Sequence, residues 1–252
     1  GWSAPVIWGD QIWLTTATED GKKMYAICVS LKSGEILQDI LVLENEKPQW
    51  KNGSNSYATP TPVVEDGFVY VEFGTYGTAC INTEAGKIVW KRTDISTDRV
   101  LHGPASSPIL YKNVLIVHHE SVEILQITAL DKKTGKTVWQ AHRPQECYEE
   151  IQKDWRKNHS SPIIIAVNGK DQLISCGAQV CQAFDPQTGT EIWRVVYKGG
   201  DSVVGSPVFW DGLVYINTGL DTGDGVSFWA VLPDGIGNVT DTHIVWKYKE
   251  PE

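Results

Sequence analysis

Of 252 residues only one is methionine, and no lysine or arginine run exceeds two. Basic residues number 22 against 31 acidic ones, a formal charge of −9. A sequence-independent grip on phosphate needs clustered basic side chains, so nucleic acid is not an expected partner. No stretch approaches the roughly 18 consecutive apolar residues of a membrane-crossing helix. The chain opens on Gly1-Trp2-Ser3-Ala4-Pro5 with no visible signal peptide, and that start reads as a processed or truncated end. Its five cysteines (Cys28, Cys80, Cys147, Cys176, Cys181) include no adjacent pair and follow no zinc spacing. There is no Gly-x-Ser-x-Gly elbow, no His-Glu-x-x-His pattern and no phosphate-binding loop, which leaves the corresponding hydrolase, protease and nucleotide-binding readings unsupported.

What the chain has is tryptophan, eleven of them, and a repeat. The same phrase is written five times: Ser/Thr, Pro, an apolar run, a tight turn, a second run, then Asp or a stand-in, Gly and Trp. The clearest copies end in Ala129-Leu130-Asp131-Lys132-Lys133-Thr134-Gly135-Lys136-Thr137-Val138-Trp139 and Ala183-Phe184-Asp185-Pro186-Gln187-Thr188-Gly189-Thr190-Glu191-Ile192-Trp193. The opening prolines are Pro5, Pro62, Pro108, Pro162 and Pro207, and the closing positions are Leu37, Trp90, Trp139, Trp193 and Trp246. Steps of 53, 49, 54 and 53 residues mean an array of supersecondary units.

Each unit reads as four short antiparallel strands, A to D. In the second, Pro62 introduces strand A, Asp66-Gly67 turns the chain, and Phe68–Phe73 forms strand B. Strand C is Thr78–Ile81, and the turn through Gly86 leads into strand D with Trp90. Proline lacks the N–H that a ladder needs, so strand A lies at a sheet edge. Four-stranded units repeated radially make a β-propeller, with the strand-D tryptophans filling the blade interfaces. The expectation is an all-β, single-domain propeller with blades at 1–45, 46–95, 96–145, 146–197 and 198–252. Two unrelated β-sandwiches would give no reason for the shared period. The A–B and C–D turns are tight, as at Gly135 and Gly189, whereas D–A and B–C connections vary and share the opposite face. Function concentrates on variable loops carried by a rigid scaffold, so that face is the one expected to bind.

The Ala-Leu-Asp-x-x-Thr-Gly-Lys-x-x-Trp motif resembles the repeat of pyrroloquinoline quinone (PQQ)-type propellers. Tyr57–Gly67, Phe73–Cys80, His102-Gly103-Pro104 and Val239–His243 are similar to a bacterial, planctomycete-type group of PQQ-like β-propeller repeat proteins. More distantly, the chain resembles quinoprotein dehydrogenases and an outer-membrane assembly-factor propeller. The resemblance covers essentially the whole chain and implies seven or eight blades in all, of which about five are present. It also implies a periplasmic or secreted location. Active quinoproteins are expected to hold PQQ against adjacent cysteines, with an Asp base and Glu and Asn around calcium. No such set maps onto this sequence, so no cofactor is expected, and calcium is left open.

Residues preceding strand A and in the B–C loops are expected to meet on the variable face: Tyr57, Tyr76, His102, Glu120, His159 and Asp201. Two aromatics, two imidazoles and two carboxylates suit a saccharide, another polar small ligand or a protein partner. His118 and Glu120 are weak metal candidates, because alternate strand residues share a face. Asp221-Thr222-Gly223-Asp224-Gly225 lacks the alternating ligands of a calcium loop and reads as a B–C turn. Cys28 and Cys80 read as small core residues, and Cys176 and Cys181 either pair across a hairpin or remain free. The expected function is a non-catalytic binding scaffold of the cell envelope. Its rivals are a PQQ- or metal-dependent oxidoreductase and an assembly-type protein-interaction factor.

Overall fold

A computed structural model describes residues 1–95, 102–197, 200–201, 203–218, 220–221 and 227–249. Contacts divide the chain into two units, Gly1–His119 with Leu130–Thr137, and Glu120–Ala129 with Val138–Glu252. The first sheet joins β1 (Val6–Trp8), β2 (Gln11–Ala17), β3 (Lys23–Ser30) and β4 (Ile36–Glu44) in chain order. The second joins β5 (Val63–Glu65), β6 (Phe68–Glu72), β7 (Thr78–Asn82) and β8 (Lys87–Arg92). The third joins β9 (Ile109–Tyr111), β10 (Val114–Glu120), β11 (Leu125–Asp131) and β12 (Thr137–His142), and it contributes to both units.

The second unit continues with β13 (Ile163–Val167), β14 (Lys170–Cys176), β15 (Val180–Phe184) and β16 (Glu191–Val196). Then come β17 (Gly200–Asp201), β18 (Val208–Trp210), β19 (Leu213–Asn217), β20 (Leu220–Asp221), β21 (Ser227–Val231), β22 (Gly237–Asn238) and β23 (Ile244–Lys249). The fifth sheet has the order β18-β19-β21-β23. β17 and β20 form a small antiparallel ribbon. These five four-stranded meanders are the blades of a β-propeller fold.

The local chemistry explains each meander. Pro5, Pro62, Pro108, Pro162 and Pro207 stand immediately before β1, β5, β9, β13 and β18, the edge strands, where no ladder N–H is needed. Asn168-Gly169 and Asp211-Gly212 hold φ of +50, +75, +48 and +76°, the left-handed pair that a two-residue hairpin requires. Inner strands are covered on both faces, so all seven residues of β10 and all five of β15 are buried.

Successive blades are joined by a recurring contact. The Trp90 indole donates through Nε1 to the Lys132 carbonyl at 2.7 Å, and Trp139 donates likewise to Pro186 at 3.2 Å. Glycine is required beneath each ring, because a Cβ at Gly135 or Gly189 would lie 2.7 or 2.5 Å from the indole. In the first blade the side chain in this place is Gln38, not Leu37. Gln38 faces Cys28 across the ladder as Trp90 faces Cys80, and its Nε2 donates to the Thr83 carbonyl at 2.8 Å. An amide replaces the indole there, which hides the position from a search for apolar residues. In the fourth blade Trp193 Nε1 donates to Gln172 Oε1 (2.8 Å), whose Nε2 donates to the Pro233 carbonyl (3.0 Å).

One turn departs from the expected tight face. Between β21 and β23 the fifth blade's C–D connection runs from Leu232 to His243 and contains β22. β22 pairs in parallel with β16, Trp193 opposite Gly237 and Arg194 opposite Asn238, and so covers an outer sheet edge. Cys176 and Cys181 face each other in the ladder as free thiols with Sγ atoms 3.4 Å apart. Of the Asp221–Gly225 turn only the backbone of Asp221 is described; the rest lies outside the described residues, as does the Asp201 side chain.

Candidate functional site

In the first unit, the loop ends of β6 and β10 bring two titratable groups together out of water. Glu72 is the last residue of β6, and the Thr78 hydroxyl, at the start of β7, donates to its Oε2. His119 Nε2 lies 3.7 Å from Glu72 Oε1, with both side chains almost wholly buried. Burial raises the Glu72 carboxyl to about 8, against the Thr78 hydroxyl and the Gly74 N–H, which favour the anion. Burial also lowers His119 to about 4, and the Arg92 charge adds to that. Near neutral pH the pair is a carboxylic acid beside an uncharged imidazole.

The expected ligand residues of this unit form a neighbouring cluster. Tyr57 and Tyr76 meet edge to face at 5.8 Å, and both hold Gln49: the Tyr57 hydroxyl donates to its carbonyl, and its N–H donates to the Tyr76 hydroxyl. Burial pushes the Tyr76 phenol up to about 12. Asn55 Nδ2 donates to the His102 carbonyl at 2.7 Å, which ties that segment to the same loop. The His118 Nδ1 lies 3.3 Å from the Ser106 hydroxyl.

In the second unit Glu120 belongs to a different network. The Arg143 guanidinium, completely buried, donates from Nε and Nη2 to Glu120 Oε1 at 3.1 and 2.6 Å. It also donates to the Ser175 carbonyl and hydroxyl and to Gln182 Oε1, so every N–H bearing nitrogen is engaged. Burial alone would lower its proton affinity, but the Glu120 carboxylate reverses this and holds Arg143 above its usual range. Gly177 is needed beside it, since a Cβ would stand 2.8 Å from Nε and 2.7 Å from the Tyr148 hydroxyl. Asn158 Nδ2 reaches Glu120 Oε1 at 3.4 Å while its Oδ1 accepts from the Ser160 N–H. The next residue, His159, is buried and donates its backbone N–H to the Val203 carbonyl. In the first unit Tyr57, Tyr76 and His102 gather around one loop; in the second Glu120 holds Arg143, and His159 follows Asn158 in the chain. Asp201 pairs with Leu220 in the small ribbon.

An open cleft of about 680 Å³ lies beside the Arg143 network, and sequence reasoning did not assign it. One wall is the D–A insertion, whose 3-10 turn Gln145–Cys147 precedes Glu149, Glu150 and Ile151. The other wall is the end of β16 with Arg194 and Val196, extended by Asn238, Thr240 and Asp241 from the long fifth-blade connection. Thr240 Oγ1 accepts the Val196 N–H at 2.9 Å, and the Val239 N–H donates to the Arg194 carbonyl, so that wall is bonded to the blade. Glu146, Glu149, Glu150 and Asp241 face a single cation, Arg194, which lies 3.8 Å from Glu146. Tyr197, whose hydroxyl donates to the Gly177 carbonyl, links the cleft floor to the Arg143 network. The sequence signal was available: a polar insertion between Trp139 and Ser160, and a fifth C–D connection longer than the others.

Comparison with known proteins follows the same lines. The profile of a family described as outer membrane protein assembly factor BamB matches residues 38–146 and 126–252. Quinoprotein alcohol dehydrogenase PedE of Pseudomonas putida is 29% identical over 105 residues, which is 41% of this chain and 14% of that protein. Among solved structures, BamB from Moraxella catarrhalis matches 97% of this chain and 62% of its own, with a TM-score of 0.67 at 14% identity. Quinohemoprotein alcohol dehydrogenase from Comamonas testosteroni matches 76% and 35%, with a TM-score of 0.54 at 21% identity. A europium-containing methanol dehydrogenase matches 100% and 51%, with a TM-score of 0.69 at 11% identity. The chain spans less than two thirds of the length of each of these. At such identities the structures establish the propeller fold alone.

The Glu120–Asn158 pair does not fit the Glu and Asn calcium ligands expected of active quinoproteins. A hard dication takes six to eight oxygen ligands. Glu120 with Asn158 is the one Glu–Asn pair described above, and it turns an amide nitrogen inward while the Arg143 cation already sits on the carboxylate. No three His, Cys, Asp or Glu side chains converge among the described residues. No described helix is long and apolar enough to cross a membrane.

Proposed function

We propose, on the premise that the chain belongs to the PQQ-type repeat family described as outer membrane protein assembly factor BamB, that it is a non-catalytic interaction scaffold of the cell envelope. Its binding site is the acidic cleft, and the ligand class is an extended polypeptide bearing lysine or arginine. The cleft carries this reading. Its volume is that of a ligand site, its walls are bonded to a blade, and four carboxylates face one guanidinium. The buried polar groups nearby are engaged with one another, as Arg143 is with Glu120, Ser175 and Gln182, so they act as support for the cleft rather than as reagents. The Glu120 carboxylate already holds the Arg143 guanidinium, which favours a supporting role for it over the ligation of a metal.

A short fluorescein-labelled peptide alternating Lys with Val tests the assignment by anisotropy. Binding is expected to weaken as salt rises, and the Glu149→Lys/Glu150→Lys/Asp241→Lys variant is expected to lose about tenfold or more in affinity. Equal binding of a Ser/Val control peptide, or unchanged affinity in the variant, would overturn the assignment.

A further inference from the structure

Cys176 ends β14, and Cys181 is the second residue of β15. They are direct partners in the ladder, and on the turn side of them the Gly177 N–H donates to the Val180 carbonyl at 2.8 Å. With that bond in place, Cys176 and Cys181 exchange no backbone hydrogen bonds with each other. Pairs of this kind bring Cα atoms to about 4.5 Å with the side chains close, and a disulfide spans Cα separations of about 4.4–6.8 Å. The two Sγ atoms lie 3.4 Å apart. Closing to the roughly 2.05 Å of a bond asks only for small side-chain rotations.

No other cysteine of the chain faces a cysteine across a ladder. Cys28 lies opposite Trp13 and Gln38, and Cys80 opposite Tyr70 and Trp90. Cys147 sits in the 3-10 turn of the D–A insertion. Both thiols of the pair are wholly buried, in a cluster with Ile174, Ala183, Val195, Tyr197 and Val203. The Tyr197 hydroxyl is committed to the Gly177 carbonyl, so within this group each thiol has the other as its reactive neighbour.

The opposite face of the same hairpin end is already braced. Ser175 pairs with Gln182 at the preceding ladder position, and Arg143 donates to both. A covalent bond between Cys176 and Cys181 would brace the second face, and with it the turn that brings Gln179 to the cleft.

We propose that Cys176 and Cys181 are a redox modification site: when the chain folds in the presence of a small disulfide oxidant such as oxidised glutathione, they close into a cross-strand disulfide. One protein thiolate attacks a glutathione sulfur, forming a mixed disulfide and releasing the first glutathione thiolate. The second protein thiolate attacks the protein sulfur of that mixed disulfide, closing the Cys176–Cys181 bond and expelling the second glutathione. Two protein thiols are oxidised, one glutathione disulfide is reduced, and the two protons end on the glutathione thiolates. A glutathione adduct is too bulky for the apolar cluster, so the bond forms while the hairpin is still open. Packing of the fourth blade then seals the pair in the state it has reached. Burial pushes the Cys181 thiol well up, which removes the thiolate that later exchange would need. This holds whatever the cleft binds.

Cell-free synthesis of the full chain in oxidised or in reduced glutathione tests the proposal. Soluble protein is unfolded in an alkylating agent, and its mass and cross-linked peptides are read. Synthesis in oxidised glutathione is expected to remove two of the five thiols, through a single bond between residues 176 and 181. Protein made in reduced glutathione is expected to keep all five, and to keep them when oxidised glutathione is added after folding. Five free thiols after oxidising synthesis would overturn the proposal, as would a bond to Cys28, Cys80 or Cys147. Soluble protein from the reducing synthesis alone would overturn it too, because the bond would then be incompatible with the fold. Rapid loss of two thiols when oxidant meets the folded, reduced protein would contradict closure before sealing.

Discussion

Arg143 concentrates more buried hydrogen bonding than any residue named above, and its cost is set by what it leaves behind. Glu120→Gln keeps the shape but strands a guanidinium in the interior. Loss of one partner of a buried pair costs about 3–5 kcal/mol, whereas replacing both by apolar groups of similar volume is close to neutral. Urea unfolding should therefore find Glu120→Gln far less stable than Glu120→Leu/Arg143→Met. Equal losses in the two variants would show that the ion pair is not the cause. Glu72 and His119 titrate in opposite senses. The raised Glu72 carboxyl binds its proton more tightly folded than unfolded, so its contribution is full below its ordinary range and is lost as pH rises through about 8. The lowered His119 imidazole contributes above its ordinary value of 6.5 and loses that contribution as pH falls through about 4. Of the two, Glu72 alone changes its contribution between pH 6.5 and 8, so this pair should cost the protein stability over that interval, and Glu72→Gln should flatten the loss. A wild-type slope persisting in Glu72→Gln would assign it to another group.

At the scale of the element, the glycine beneath each indole decides how blades join. Gly135→Ala and Gly189→Ala place a Cβ against Trp90 and Trp139 at a positive φ, so both backbone strain and a clash oppose them. Gly34→Ala meets strain alone. Thermal unfolding should rank Gly34→Ala as the mildest, with the other two worse by about 1–3 kcal/mol, the usual cost of overpacking. Identical shifts at all three glycines would mean that the indole contact contributes nothing. These elements were legible in the sequence because each rests on a local rule: proline before an edge strand, Asp-Gly at a hairpin, glycine at a turn. Strand limits in the second blade follow the sequence reading to within a residue or two. Gln38 was not legible, since an amide carries no apolar signal and Leu37 beside it does; only the ladder register opposite Cys28 reveals it. The Arg143 network was hidden for a different reason. Its members come from four separated segments, at Glu120, Arg143, Ser175 and Gln182, and no spacing rule links them. Tyr57 and Tyr76 meet around Gln49, and their hydroxyls engage its backbone, a contact that no spacing rule contains.

For the molecule as a whole, the blades supply rigidity and the connections supply the chemistry, which is why the propeller alone says little of activity. The D–A insertion and the long fifth-blade connection are departures from the repeat, and they meet in one acidic cleft bonded to the fourth blade. Hydrogen exchange on adding the Lys/Val peptide tests that account most directly, because it reports where the peptide sits. The account predicts new amide protection at residues 146–151 and 238–241, absent in Glu149→Lys/Glu150→Lys/Asp241→Lys. Protection confined to the loops around Tyr57 and His102, or no change at saturating peptide, would contradict it.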